Sequence, residues 1–361
     1  MITIAIDAMG GDHGLEVTIP ASVNVVDSHL QVKLILVGRE AQIRERLDQH
    51  RCANRDRISV QSASEIVAMD DPPAFSIRKK KDSSMRVAVN LVKDGIADAC
   101  VSAGNTGALM GTAKFVLGTI RGIDRPAICG ILPRISGSAY VLDLGANVDV
   151  SPEILFQFGI MGSQLIESYE GRSSPTVGLL NIGVEEGKGD EAIKAAAELF
   201  KNSSLNYVGY VEADHIFMGD TDLIVCDGVL GNVALKASEG VAQFIMSVIK
   251  QEFTSSAFNK LSALVSRPTL NAVKSRLDHR RYNGATLMGL NAVVVKSHGG
   301  TDTVGFGCAI EYAVKSAGSG LVERISQRIA ARMETETIRE SVSAAQADRE
   351  SPGVTSCSTQ E

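Results

Sequence analysis

The chain has 361 residues, 44% of them hydrophobic, with a net charge of -6 and a pI near 5.6. That length buries a full core, as one large α/β domain or two smaller ones. The acidic balance argues against a general nucleic-acid binder, and 4% aromatic content without Trp argues against stacking platforms for single strands. The opening MITIAIDAMGGD lacks the basic and apolar regions of a signal peptide, and no apolar run is long enough to span a bilayer. Cys52, Cys100, Cys129, Cys226, Cys308 and Cys357 form no CxxC pair and read as free thiols of a reducing cytoplasm. Clusters of His and Cys with metal-ligand spacing are absent, so neither a metal nor another cofactor is expected.

Ile2–Asp7 reads as a first strand, followed at once by AMGGDHG. Gly10 and Gly11 make a tight turn. Asp12 and His13 then face whatever lies beyond the strand's carboxyl end, the edge where open α/β sheets bind ligands. Capping of the next helix is the other reading of Asp12. Val32–Val37 is a second strand, Arg39–Gln49 a charged surface helix and Ile58–Val60 a short third strand. Pro72 and Pro73 predict an extended or turning segment. The basic run Arg78–Lys81 after it is either a solvated face or a surface for an acidic partner. Met85–Lys93 reads as a helix with Val87, Leu91 and Val92 inward. Ala99–Ser102 is a strand running into Gly104, Asn105, Thr106 and Gly107, and then into a small-residue helix, Ala108–Val116.

Ile128–Leu132 and Tyr140–Leu144 read as adjacent strands, the second ending in DLGANVDVSPE, which crowds Asp143, Gly145, Asn147 and Asp149 together. Ser151 and Pro152 start a helix over Glu153–Tyr169. Thr176–Ile182 has the length of a buried strand. Gly183, Gly187 and Gly189 follow, with Glu185, Glu186 and a single Lys188 between them, and Asp190 caps a helix over Glu191–Lys201. Strand, glycine loop and helix together form a phosphate-binding arrangement. Backbone N–H groups point at the anion, glycine permits close approach and lysine adds charge. No Lys-Ser/Thr pair closes the loop, so it is not a Walker motif, and a solvated lysine in a turn is the plain alternative.

Strands over Asn206–Val211 and Leu223–Cys226 come next. The second ends at Asp227, Gly228, Gly231 and Asn232, before helices from Val233 and over Val241–Phe253. Glycine-plus-polar loops at four strand ends predict one large cleft on a single sheet edge. Ser255–Tyr282 holds two amphipathic pieces split by Pro268, with Phe258, Leu261, Leu264 and Val265 on one face and Leu270, Val273 and Leu277 on another. Arg267, Lys274, Arg276, Arg280 and Arg281 outnumber Asp278 there. Such a hairpin reads as a surface for anionic lipid or an acidic protein, or as a helical pair closing over the core. Ala292–Lys296 is a last strand running into SHGGTD, which carries His298. Gly305–Ala317 and Ser319–Glu334 are closing helices. A disordered tail is expected over 341–361, where Ser, Ala, Gln and Glu dominate.

The loops DAMGGDHG, SAGNTGALM, LDLGANVD, LLNIGVEEGKGDE, VCDGVLGNVALK and VKSHGGTD, in this order, resemble the PlsX family of phosphate acyltransferases. The resemblance runs from the first strand to about Arg332. It implies a single domain over residues 1–340 with a three-layer α/β/α, Rossmann-like fold similar to the isocitrate and isopropylmalate dehydrogenase group, and the amphipathic hairpin as an addition within it. It implies transfer of a fatty acyl group from acyl carrier protein to inorganic phosphate, giving acyl phosphate for phospholipid synthesis. Implied too are a homodimer and a cytoplasmic protein held peripherally at the inner face of the cell membrane. The hairpin 255–282 would make that contact, and the membrane-bound glycerol-3-phosphate acyltransferase would be a further partner.

The chemistry needs few special groups. Phosphate dianion is itself a nucleophile, and direct attack on a thioester needs donors for the tetrahedral oxyanion. Lys188 is the first candidate to hold phosphate, with Asn181 and Asn232 as oxyanion donors. Asp227 is a candidate to orient Lys188 or phosphate's proton. His13 and His298 are candidates to protonate the departing thiolate, or are satisfied structural histidines. Gly104, Asn105 and Thr106 would form a second wall of the anion site. Gly10, Gly11, Asp12, Asp143, Asn147, Gly187 and Gly231 complete the substrate-binding set. Asp7, Asp12, Asp143 and Asp149 would hold Mg²⁺ only if they converged. Acyl carrier protein is acidic, so Arg78–Lys81 or the basic hairpin would receive it. The alternatives are a phosphotransacetylase-like enzyme using acyl-CoA, a dehydrogenase of the same fold group (disfavoured by the absence of GxGxxG after the first strand) and a non-enzymatic membrane-surface scaffold.

Overall fold

A computed structural model describes residues 1–276 and 278–331. Leu277, the end of the last closing helix, Cys357 and the tail 341–361 lie outside the described residues. The strands are β1 (Ile2–Asp7), β2 (Val32–Gly38), β3 (Ile58–Ser62), β4 (Ala99–Ser102), β5 (Ala127–Pro133), β6 (Ser138–Leu142), β7 (Thr176–Leu180), β8 (Asn206–Val211), β9 (Leu223–Val225), β10 (Ala285–Met288) and β11 (Val293–Lys296). They form one sheet in the order β3-β2-β1-β4-β11-β10-β5-β6-β9-β7-β8.

Alternation along each strand builds the layers. In β1, Ile4 and Ile6 pack among Ile19, Val23, Phe306 and Ile310, from the helices Leu15–Ser28 and Thr303–Gly318. Ala5 faces the other way, into a layer with Met85, Val89 and Leu109 from the helices Ser84–Lys93 and Thr106–Leu117. The far half repeats the plan. Leu142, Val177 and Val225 pack against Leu155, Phe158 and Phe200, from Pro152–Glu170 and Glu191–Lys201. Helices thus cover both faces of a large central sheet, which gives the strands their near-continuous apolar runs.

Strand polarity corrects the expected single edge. β11, β4, β1, β2 and β3 are mutually parallel, and β6, β9, β7 and β8 are mutually parallel. Between them, β11 pairs β10 antiparallel, β10 pairs β5 antiparallel, and β5 pairs β6 antiparallel. The loops after β1, β4 and β11 therefore leave the sheet in one direction, and those after β6, β7 and β9 leave in the other.

Three local readings also change. Pro73 does not forbid helix; it occupies the first position of Pro73–Lys79, where its missing N–H costs nothing. The helices expected from Val233 and over Val241–Phe253 are one 27-residue helix, Gly228–Thr254, capped by Asp227, whose carboxylate accepts from Val229 N and Leu230 N. The hairpin consists of Ala257–Val265 and Arg267–Arg276, with the break at Ser266 and Pro268 inside the second helix. Among the described residues no helix is long and apolar enough to cross a membrane.

Candidate active site

The first group of loops is knitted around β1, β4 and β11. Asp7, at the end of β1, is buried, and its Oδ2 accepts from Ser102 Oγ at 2.6 Å. Burial pushes its carboxyl above the usual range, against the hydrogen bonds from Ser102 and Ser84. Gly10 passes so close that a Cβ there would lie 2.5 Å from Asp7 Oδ2. Several backbone donors of these loops are spent internally. Gly10 N donates to Asp7 O, Gly104 N to Ser102 Oγ and Asp12 N to Gly299 O. Asn105 caps its helix through Ala108 N and donates to Met69 O and Asp71 O, with Thr106 the first helical residue. Asp12 and His13 are exposed, and the side chain of Asp12 makes no cap for the following helix.

Lys296, which sequence reasoning passed over, sits in the middle of this group. It ends β11, is 8% exposed, and its ammonium donates to Ala103 O and Ser297 O. Burial pushes its pKa down to about 8, partly offset by the nearby Asp12 and Asp7. Its sequence context, a lysine closing an apolar strand, gives little warning of this burial.

The second group is built on β6 and β9. Asp143 is fully buried and accepts from Ile128 N, Ala146 N, Asn147 N and Asn147 Nδ2. Burial still pushes its carboxyl up. Asn147 is buried too and also donates to Pro126 O. The hydrogen bonds of this pair are thus used to shape the loop. Gly228 and Gly231 let the long helix abut it: a Cβ on Gly231 would run into Asp143 O, and one on Gly228 would lie 2.5 Å from Asn147 O. Gly145 lies directly beside Asn232, which is exposed.

The two groups meet through the long helix. Asn232 and Lys236 are one turn apart and share a face. Lys236 Nζ lies 3.4 Å from His298 Nε2 and pairs with Glu239 at 2.7 Å. The Nδ1 of His298 accepts from Gly300 N at 3.2 Å. Gly300 N and the Lys236 ammonium are both donors, so the neutral ring accepts from only one of them at a time, and its tautomer follows from which contact is made. Had the helix been started at Asp227 from the sequence, the Asn232/Lys236 spacing would have been legible.

The third loop stands by itself. Asn181 Nδ2 donates to Gly183 O and Lys188 O, which folds the loop back on itself, and Gly189, at φ 91°, packs against that amide. Asp190 caps the next helix through Ile193 N. Lys188 is exposed, and among the described residues no hydrogen bond or ion pair joins its ammonium to another loop. Gly187 meets nothing within 4 Å at its Cβ position. Asp227 is occupied as a helix cap, with no contact to Lys188. Asp7, Asp12, Asp143 and Asp149 do not converge; among the described residues no group of three or more His, Cys, Asp or Glu is placed to hold a metal ion.

In the hairpin, Phe258, Leu261, Leu264 and Val265 are 61–78% exposed, so this face does not close over the core. Arg267, Lys274, Arg276 and Arg281 are exposed. Arg280 is engaged instead, donating to Asp278 and to Asp302. In the other basic run, Lys80 is tied to Asp71 and Ile66 O.

This fold, a large sheet sandwiched by helices, is shared with known phosphotransacetylases. The EutD phosphotransacetylase from Staphylococcus aureus superposes with a TM-score of 0.57 at 14% identity, over 88% of this chain and 94% of that one. A phosphotransacetylase from Streptococcus pyogenes gives 0.57 at 18% identity, with the same coverage. At such identity the likeness establishes the fold alone. Residues 2–324 match the family described as Fatty acid synthesis protein, and the chain belongs to it. Its relatives include a Phosphate acyltransferase of Legionella pneumophila (strain Corby), 53% identical over 91% of this chain and 96% of the relative. Another, of Methylococcus capsulatus (strain Bath), is 53% identical over 91% of this chain and 97% of the relative.

Proposed function

We propose that the protein transfers a fatty acyl group from the thioester of acyl carrier protein to inorganic phosphate, releasing acyl phosphate for phospholipid synthesis. The enzyme is an acyltransferase, as its family relatives are named. The observation that carries the placement of the site is the meeting of Lys236 with His298, which brings the loop after β11 against the helix after β9.

A phosphate oxygen attacks the carbonyl carbon, and the carbonyl π pair moves onto oxygen. Collapse of this tetrahedral species breaks the C–S bond, and sulfur leaves with the bonding pair. Asn232, exposed beside Gly145, is the donor for the oxyanion; one such donor is typically worth about 10²–10³ in rate. In the tautomer that accepts from Gly300 N at Nδ1, His298 offers Nε2–H as a hydrogen-bond donor to developing negative charge; losing that proton would leave an imidazolate. A thiol has a pKa of about 8.5, so the departing thiolate needs stabilisation more than a proton, and the Lys236 ammonium supplies it. Lys188 brings an unengaged cation to phosphate, with Asn181 shaping its loop. Gly10, Gly11 and Gly104 allow the close packing that holds the His298 side of the site.

The exposed apolar face of Ala257–Val265, flanked by Arg267, Lys274 and Arg276, supports peripheral attachment to an anionic membrane surface. The acidic carrier protein then meets Arg78, Lys79 and Lys81. The protein works as a homodimer in the cytoplasm, at the inner face of the membrane, beside the glycerol-3-phosphate acyltransferase that consumes its product. Purified protein given long-chain acyl carrier protein and phosphate should yield a hydroxylamine-trapped acyl hydroxamate that requires phosphate. Turnover confined to acyl-CoA would reject the donor assignment in favour of a phosphotransacetylase-like enzyme.

A further inference from the structure

The hairpin is an excursion from the sheet whose two arms return to the same loop. The entry arm is the helix Gly228–Thr254, which carries Lys236 to 3.4 Å from His298 Nε2. The exit arm is the short helix His279–Tyr282 and the residue after it, Asn283. Asn283 binds the His298 loop at three points and the helix after it at a fourth. Its Oδ1 accepts from His298 N at 2.9 Å. Its Nδ2 donates to Ser297 Oγ at 2.8 Å and to Gly305 O at 2.8 Å, with Thr301 Oγ1 at 3.3 Å. Ser297 and Thr301, which flank His298, are both buried. One turn earlier, Arg280 bridges Asp278 on the exit arm to Asp302, which caps the helix after the loop.

We propose that Asn283 is a positioning residue for His298, fixing its loop to the exit arm of the hairpin so that Nε2 stays opposite Lys236 on the entry arm. The proposal rests on the reading that His298 belongs to the active site. An amide fits this position because both of its ends are used: the oxygen takes the backbone N–H of His298, and the nitrogen ties the loop's flanks together. Aspartate would lack the donor and alanine both functions. The exit arm, and not the strand alone, then sets the direction in which His298 points. A displacement of about 1 Å at such a group is enough to cost on the order of 10² in rate.

The test is a double-mutant cycle in the full-length protein, assayed with a long-chain acyl carrier protein and inorganic phosphate. Asn283→Ala should lower kcat by about 10- to 100-fold while the KM for phosphate changes less than about 3-fold. In a His298→Ala background the same substitution should cost less than about 2-fold, because the group it positions is gone. Arg280→Gln, which removes only the outer ion pairs, should show the same dependence on His298 with a smaller loss, and it keeps the test open if Asn283→Ala does not fold. Losses that multiply in the double variant would overturn the proposal, since they mark a general structural role. A strong His298→Ala defect with no defect in Asn283→Ala would also overturn it, while leaving the function intact. Full activity of His298→Ala would instead bring down the reading of His298, and the proposal with it.

Discussion

His298 Nε2 and Lys236 Nζ stand 3.4 Å apart, although one residue follows β11 and the other lies on the helix that follows β9. The parallel sets holding these strands run in opposite directions, so this contact is where the two halves of the sheet share a polar surface. Lys236→Ala should lower kcat/KM by about 10²-fold, the scale for removing one stabiliser of transition-state charge. Lys236→Met should behave alike, because it is the charge that matters. Steady-state hydroxamate formation gives the number, and retention of more than half the wild-type value would remove Lys236 from the site.

Lys296 makes stability depend on pH in a particular window. Its pKa is pushed down to about 8 in the fold, whereas an unfolded lysine titrates near 10.4. Between those values the unfolded chain holds more protons, so stability rises with pH across the window and the full penalty is present below about pH 8. A difference of this size corresponds to roughly 3 kcal/mol. Lys296→Met should abolish the rise. Denaturant midpoints from pH 7.5 to 10.5 would show wild type and variant converging or crossing; parallel curves would contradict the burial of a titrating ammonium.

The sequence offers Asp143 to the anion site, yet its carboxylate accepts from three backbone amides and from Asn147. Asp143→Ala should cost about 3 kcal/mol or more, because each buried donor left without a partner costs about 1–3 kcal/mol. The urea midpoint measures it. A near-native midpoint combined with a large rise in KM for phosphate would return Asp143 to the substrate.

Gly231 leaves no room for a side chain against the carbonyl of Asp143. Gly231→Ala should push the helix start away from the β6 loop and cost about 1–3 kcal/mol, in line with other overpacked sites. It should lower activity too, since Asn232 and Lys236 ride on that helix. An alanine variant with unchanged melting temperature and turnover would show that the contact relaxes freely.

The first hairpin helix keeps its apolar face in solvent. The double substitution Phe258→Asp with Leu261→Asp should reduce binding to phosphatidylglycerol vesicles by at least about 10-fold, with the KM for acyl carrier protein within about 2-fold of wild type. Flotation with vesicles and soluble kinetics read the two separately. A raised KM with unchanged vesicle binding would make this face a docking surface for the carrier.

Much of the fold was legible because local signals agreed. The sequence bounds Ile2–Asp7, Ala99–Ser102 and Asn206–Val211 as the structure has them, and Ser151 and Asp190 announce their helices as caps. What escaped depends on distant pairing. β10 is only Ala285–Met288, and it belongs to a run of three successive antiparallel pairings, β11–β10, β10–β5 and β5–β6, which leave the two halves of the sheet running in opposite directions. Nothing within Thr286 or Leu287 records that reversal, so loops expected on one edge lie on two. The site was partly legible for a related reason. Gly228 and Gly231 look like loop residues, but they are helical positions made small by the neighbouring Asp143–Asn147 loop. Lys296 and Asn283 look ordinary in sequence because their burial and bonding come from Ala103, Ser297 and Gly305, far away along the chain or across a turn.

Acyl transfer to phosphate at this site is read out by phosphate-dependent formation of acyl hydroxamate. With long-chain acyl carrier protein as donor, wild-type protein should give hydroxamate only when phosphate is present, and Lys188→Ala should lower it by about 10²-fold or more. Thioester cleavage that proceeds equally without phosphate, or a Lys188→Ala protein with wild-type turnover, would contradict the account.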